Sequence, residues 1–296
     1  MWYSRHAVVG RPRSTALLLP ATVLVGGLLA LAFCLVVTIS FATKGSNGGI
    51  VWTFSAEAYQ RLVLVRKLSG DLSLNFTFLI VLWRSFFFAV VTTVICLTFA
   101  FPVAYYISRL SPRMKSVILL LIIFPFWSNL LVRTTSWIIL LRDNGIVNKL
   151  LMWFNFTSEP LHLLYTSGAV IVGLVYVYLP FMILPVYSSI EKMDQNLTEA
   201  AADLYASKFQ TLLRIIIPLT KPGIIAGSVL VFVPSMGAYI TPDLLGGGKS
   251  MMLGNLIQLQ FTTGKHWPYG AAMSVILVVL SVIALVAASR SRSVRS

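Results

Sequence analysis

The chain has 296 residues, 57% of them apolar and only 11% charged, where an ordinary soluble domain carries roughly 25% charged residues. Too few charges remain to cover a water-facing surface, so part of that surface must face lipid. The net charge of +14 lies in clusters between apolar runs, a pattern of membrane topology and not of nucleic-acid binding.

A helix crossing the hydrocarbon needs about 20 mostly apolar residues. The first such run, 16–41, follows Arg5, Arg11 and Arg13. It continues past the cleavage-like Ala30-Leu-Ala32 and exceeds the roughly 7–15 apolar residues of a signal peptide, so it is read as an uncleaved helix. The loop 42–78 holds a turn cluster at 44–49 and a short surface helix at 55–65. Four more runs occupy 79–108, 117–141, 168–189 and 223–240, the last of these short and broken by Pro234. The sixth run is 269–289. Cys34 and Cys96 lie inside these runs, with no disulfide framework or metal-ligand spacing, and are read as small buried hydrophobes.

The fold class expected is therefore all-α, a polytopic bundle of six transmembrane helices. Its parts are 1–78 (tail, first helix and outer loop), a five-helix core at 79–289 and a basic tail at 290–296. Six crossings put Arg5, Arg11 and Arg13, then Arg109, Arg113 and Lys115, then Lys192, Lys208, Arg214 and Lys221, and finally Arg290, Arg292 and Arg295 on one side. The other side is sparser in bases, so the positive-inside rule places both termini in the cytoplasm. Pro102, Pro125, Pro180, Pro185 and Pro234 interrupt four spans, as in bundles whose broken helices line a transport path.

Residues 243–250 end in Gly-Lys-Ser, as a phosphate-binding loop does. The pattern also wants a glycine at position 243, where Asp243 stands, and a strand before it. A nucleotide site here is not expected. The longest inner loop, 190–222, is more informative. Asn196 is placed to cap a helix, with Glu199 three residues on. Ala200, Ala201 and Ala202 favour a helix with a flat face that fits a groove on another protein. Pro218 and Pro222 are expected to end the loop and begin the fifth span.

Glu199-Ala200-Ala201, followed by Ile217-Pro218-Leu219 and Pro222-Gly223-Ile224, resembles the EAA loop of ABC-importer permeases. Residues 131–137, 145–148, 178–181, 234–237 and 241–247 are similar to the spermidine/putrescine branch. The likeness spans about 79–269. It implies a type I importer permease of a bacterial inner membrane, with no catalytic, cofactor or metal site of its own. ATP would be bound by a separate cytoplasmic ABC ATPase dimer. A second homologous permease would complete the pore in the lipid bilayer, and an extracytoplasmic solute-binding protein would deliver polyamine. By the same likeness Glu199, Ala200, Ala201, Asp203, Leu204, Tyr205, Ser207 and Lys208 contact the ATPase. One residue departs from the family pattern. The glycine expected six residues after the glutamate is Tyr205, and a tyrosine in the left-handed region costs roughly 1–2 kcal/mol. Either the helix continues through Tyr205, or the strain is tolerated, or coupling is weakened.

Within the spans, Arg133 is read either as a gate or a pathway ion pair, or as snorkelling to the outer interface or bonding broken-helix carbonyls near Pro125. Arg84 is read as interfacial. Asp243 is the only carboxylate near the bilayer, which argues against a proton-coupled carrier. Trp127, Trp137, Tyr176, Tyr178 and Tyr239 are candidates for cation–π contact with an amine. With Asn129, Arg133 and Asp243 they make up the candidate path. Importers of an opine, thiamine or ferric iron, and a secondary carrier, are the competing readings. His6, His162 and His266 are too scattered for an enzyme.

Overall fold

The computed structural model describes residues 12–45, 49–66, 72–194 and 196–293. The apolar runs become helices because lipid offers no partner for backbone N–H and C=O groups. The long helices are α1 (Pro12–Ser40), α3 (Phe76–Ser108), α7 (Ser167–Glu191), α10 (Ile217–Met236) and α13 (Trp267–Ser293). Between α1 and α3 come β1 (Thr43–Lys44), β2 (Ile50–Val51), α2 (Glu57–Val63), β3 (Leu64–Arg66) and β4 (Leu72–Leu74). The two strand pairs are antiparallel hairpins, β1 with β2 and β3 with β4. The expected surface helix is thus present as α2, with the hairpins added to an otherwise helical chain. Residues 46–48 of the expected turn cluster lie outside the described residues.

The third run is not one straight helix. It divides into α4 (Pro112–Ile123), a 3-10 turn at Phe124–Trp127 and α5 (Leu130–Leu141), followed by α6 (Ile146–Trp153). The two halves, taken as Pro112–Trp127 and Leu130–Trp153, meet at 93°. Pro125 tightens the end of the first half, and Ser128 and Asn129 take extended backbone before α5 starts. With this pair counted as one crossing there are six spans.

The fifth span also differs from expectation. Helix continues from α9 (Lys208–Thr211) through a π-turn at Leu212–Ile216 into α10, so Pro218 and Pro222 lie within it. A proline lacks the N–H for the i→i−4 bond. The π-turn directly before Pro218 shifts the bonding register, a device frequent where helices must deform. The span ends at Met236, and α11 (Ile240–Gly246) and α12 (Leu253–Phe261) precede α13.

The centre of the bundle is α3, α7 and α10. Cys96, Ala100 and Ala104 of α3 meet Met182, Ile183 and Val186 of α7 and Val231 of α10. Cys96 is buried as expected, whereas Cys34 on α1 is exposed. Gly223 and Gly227 let α10 approach α7 closely. A Cβ on Gly223 would lie 2.4 Å from Cβ of Ser189, and one on Gly227 would lie 2.7 Å from Sδ of Met182. This is the small-residue spacing that brings membrane helices together.

Side-chain contacts fix the direction of each crossing. Lys115 near the start of α4 pairs with Glu191 at the end of α7, and Ser167 at the start of α7 bonds Ser250. Ser40 at the end of α1 bonds Tyr59 of α2. The chain therefore crosses alternately, and the start of α1 and the end of α13 lie on the same face as the loop between α7 and α10.

Candidate coupling helix and aromatic passage

The loop between α7 and α10 carries α8 (Asn196–Asp203) and then α9. Asn196 is the first residue of α8 and not its cap: the Asp194 carboxylate accepts from the Asn196 N–H at 3.0 Å. Ala201 is the one α8 residue turned into the protein, while Glu199, Ala200 and Asp203 are exposed. The helix ends in a Schellman motif. The Tyr205 N–H donates to the Ala202 carbonyl at 2.9 Å and the Ala206 N–H to the Ala201 carbonyl at 3.0 Å, the paired bonds of that cap. Tyr205 supplies the left-handed residue at φ 56°. Of the three alternatives for Tyr205, the helix does not continue; the residue takes the glycine conformation and tolerates the strain.

The second short helix is capped independently. The Ser207 hydroxyl accepts from the Gln210 N–H at 3.2 Å, and the Gln210 side chain accepts from the Ser207 N–H at 3.0 Å. Lys208 begins this helix and is exposed. Leu204 is 82% exposed and Tyr205 97%. Two apolar side chains thus stand out from a strongly basic face. Behind α8, a cavity of about 570 Å³ is lined by Ser188, Ser189, Lys192, Asp194, Leu197 and Pro222.

The path candidates separate into three groups. Four of them gather along α5 and α7. Trp137 meets Tyr176 edge-on at 5.5 Å, the Tyr178 hydroxyl donates to the Pro234 carbonyl at 3.2 Å, and the Arg133 guanidinium lies 5.1 Å from the centre of the Phe126 ring. Phe126 meets Phe181 edge-on at 5.0 Å, and Phe181 lies 6.3 Å from Tyr178. Phe126 and Phe181 were missed from sequence; the signal was their place beside Pro125 and Pro180. A second group shares α11. Asp243 is exposed in its first turn, and the Tyr239 carbonyl accepts from the Asp243 N–H at 2.9 Å and from the Asn255 side chain at 2.8 Å. The remaining two stand apart. The Asn129 side chain accepts from the Leu131 N–H at 2.8 Å, which makes it the cap of α5, and Trp127 is 86% exposed.

Among the described residues no carbonyl near Pro125 accepts a hydrogen bond from Arg133, and its buried Nε has no partner. Arg84 is more than interfacial, since it donates to the Lys249 carbonyl at 3.0 Å and ties α3 to the glycine loop. In that loop Gly247, at φ 54°, terminates α11, and a Cβ there would meet the Tyr165 ring at 2.4 Å. The Gly-Lys-Ser segment therefore follows a helix and closes it, the reverse of a strand-to-helix phosphate loop. Among the described residues there is no metal-binding cluster.

Six apolar crossings, one of them broken, and an exposed helix pair on one face define a polytopic transport subunit. The chain belongs to the family described as binding-protein-dependent transport system inner membrane component, whose model matches residues 76–292. It is accordingly a multi-pass inner-membrane protein. It is 40% identical over 260 residues to the spermidine/putrescine transport system permease protein PotB of Escherichia coli (strain K12), covering 87% of this chain and 90% of that one. It is 41% identical to the protein of the same name from Haemophilus influenzae, covering 83% and 82%. Among solved structures, a bacterial ABC transporter involved in import of the acidic polysaccharide alginate aligns with TM-score 0.65 at 15% identity, over 96% of this chain and 100% of that chain. The MetNI methionine ABC transporter aligns with TM-score 0.54 at 17% identity, over 74% and 96%. These two share the helical-bundle fold of this chain.

Proposed function

We propose that this chain is one permease subunit of an ATP-driven importer of polyamines. The observation that carries the reading is α8: a helix with one buried residue, closed by a Schellman turn, that projects Leu204 and Tyr205 into solvent. Apolar side chains so displayed serve a partner surface. The partner is a cytoplasmic ATPase dimer that binds the ATP, so the chain itself is not an enzyme and needs no cofactor. Glu199, Ala200, Ala201, Asp203, Leu204, Tyr205, Ser207 and Lys208 form the docking surface.

The α8 face is the cytoplasmic one. Arg109, Arg113, Lys115, Lys192, Lys208, Arg214, Lys221 and Arg290 lie there, which the positive-inside rule assigns to the cytoplasm together with both termini. A second permease completes the pore, and a solute-binding protein docks on the opposite face. The cargo follows from the names of the two relatives at 40% and 41% identity and from aromatic faces suited to ammonium groups.

The test is purification of the tagged chain from native membranes in mild detergent, with its co-purifying proteins reconstituted in liposomes. Recovery of an ATPase, a second permease and ATP-dependent uptake of spermidine or putrescine is the expected result. A solitary chain that transports without ATP refutes the importer reading; an intact complex that ignores polyamines refutes the cargo.

A further inference from the structure

We infer that Arg133 is a built-in plug of this chain's half of the passage, a tethered cation seated on the first of three aromatic rings that an extended aliphatic amine takes over during transport. This deepens the proposed polyamine reading and rests on it.

The depth of the site comes first. Phe181, which carries the Phe126 contact, lies about 21 Å along α7 from Ser167 and about 15 Å from Glu191, at 1.5 Å rise per residue. The hydrocarbon layer is about 30 Å thick, so Phe126 and the guanidinium over it are near mid-depth. A charge there is expensive and is normally paired or in a water-filled path. Among the described residues Arg133 has no ion pair, and its Nε has no hydrogen-bond partner. What holds it is the face of Phe126 at 5.1 Å.

The rings then run on in series, from Phe126 to Phe181 at 5.0 Å and from Phe181 to Tyr178 at 6.3 Å. Tyr178 is bonded in turn to the Pro234 carbonyl of α10. No carboxylate contacts Arg133, so a small hydrated metal ion meets repulsion with nothing to offset its dehydration. An amine of several ammonium groups on a methylene chain is different. Its ammonium groups compete for the same ring faces, its methylenes lie against the ring edges, and the displaced guanidinium swings away. The same residue thus blocks inorganic cations and yields to the cargo.

The assembled complex in liposomes tests this, with passive potassium leak measured without ATP and spermidine uptake measured with ATP. Arg133→Gln should raise the leak about tenfold, the factor for a contact of roughly 1.4 kcal/mol, and Arg133→Lys should stay near wild type. Phe126→Leu, which keeps the charge but removes its seat, should also leak, and it carries the test if Arg133→Gln does not assemble. A leak equal to wild type in an assembled Arg133→Gln or Phe126→Leu complex overturns the plug. Equal leak in the Gln and Lys variants overturns it too, because loss of packing and not of charge would then be the cause. Failure of the wild-type complex to take up spermidine refutes the cargo instead and leaves the leak comparison intact.

Discussion

Tyr205→Gly should tighten the turn after α8. Tyrosine at φ 56° bears a left-handed penalty of roughly 1–2 kcal/mol that glycine does not. Glycine returns about 0.5–1 kcal/mol of this through its larger unfolded-state entropy. The ring contributes little against this within the chain, being 97% exposed. The net gain is therefore about 0.5–1 kcal/mol, or roughly two- to five-fold in the local opening equilibrium. The Ala206 N–H, bonded to the Ala201 carbonyl at 3.0 Å, reports that equilibrium. Its hydrogen exchange, corrected for the intrinsic rate beside glycine, should slow by the same factor. Unchanged or faster exchange would refute the reasoning, since the strain would then be relieved elsewhere. Tyr205→Ala separates backbone from ring: it keeps most of the strain and loses the side chain. If ATPase stimulation and uptake persist in the glycine variant and in the alanine variant, the tyrosine is only tolerated. A sharp loss in both would show that the ring is part of the docking surface.

Glu199→Ala should abolish uptake while leaving membrane insertion and stability within about 0.5 kcal/mol, as for exposed sites generally; normal uptake would exclude it from coupling. Lys115 and Glu191, 2.7 Å apart, should show a double-mutant coupling of up to about 1 kcal/mol in detergent melts, and zero coupling would mean that the pair does not hold α4 to α7. The neutral form of His266 is favoured first by burial and then by the charges of Arg61 and Lys44, so its pKa is lowered from 6.5. A lowered pKa contributes stability above the unfolded value that is lost as pH falls through the folded one. Protease protection of the 42–78 loop should accordingly weaken below about pH 6.5, and His266→Gln should remove that dependence; equal pH dependence in the variant would refute it.

The spans were legible because about 20 apolar residues in lipid have few alternatives to a helix. Breaks within them were harder to read. Pro125 marked the third run, but Ile122, Ile123, Phe124 and Phe126 kept it apolar, and hydropathy does not distinguish a straight helix from two meeting at 93°. Pro218 and Pro222 were misread for a related reason: the π-turn that absorbs them is a shift in hydrogen-bond register without a composition signal. The packing of Gly223 and Gly227 against α7 emerged only in the structure. Phe126 and Phe181 were marked only by the prolines beside them, because a ring packed against other aromatics has otherwise the same sequence signature as one facing lipid. Glu199-Ala200-Ala201 stood out for the opposite reason. A polar-edged alanine helix in a loop, with only Ala201 buried in the chain, departs from the pattern of a core-filling helix.

The connection from α8 to the aromatic cluster of Phe126, Phe181 and Tyr178 follows from which contacts are rigid. α8 lies directly between α7 and the continuous helix of α9 and α10. Those two long helices meet at Gly223 and Gly227, where an added Cβ would lie 2.4 Å from Ser189 and 2.7 Å from Met182, so there is little room for them to slide. A force on α8 therefore moves α7 and α10 together, carrying Phe181 and Tyr178 with α7. Phe126, which meets Phe181 at 5.0 Å, and Arg133 sit either side of the break between α4 and α5. One end of that segment is held to α7 by Lys115 and Glu191, so the break at Ser128 and Asn129 is where displacement can be absorbed. Gly227→Leu tests this chain of contacts. Overpacking typically costs about 1–3 kcal/mol, and a complex that still assembles should hydrolyse ATP with reduced uptake. Full uptake per ATP in that variant would mean that α7 and α10 do not move as a unit, and that the motion reaches Phe126 by another route.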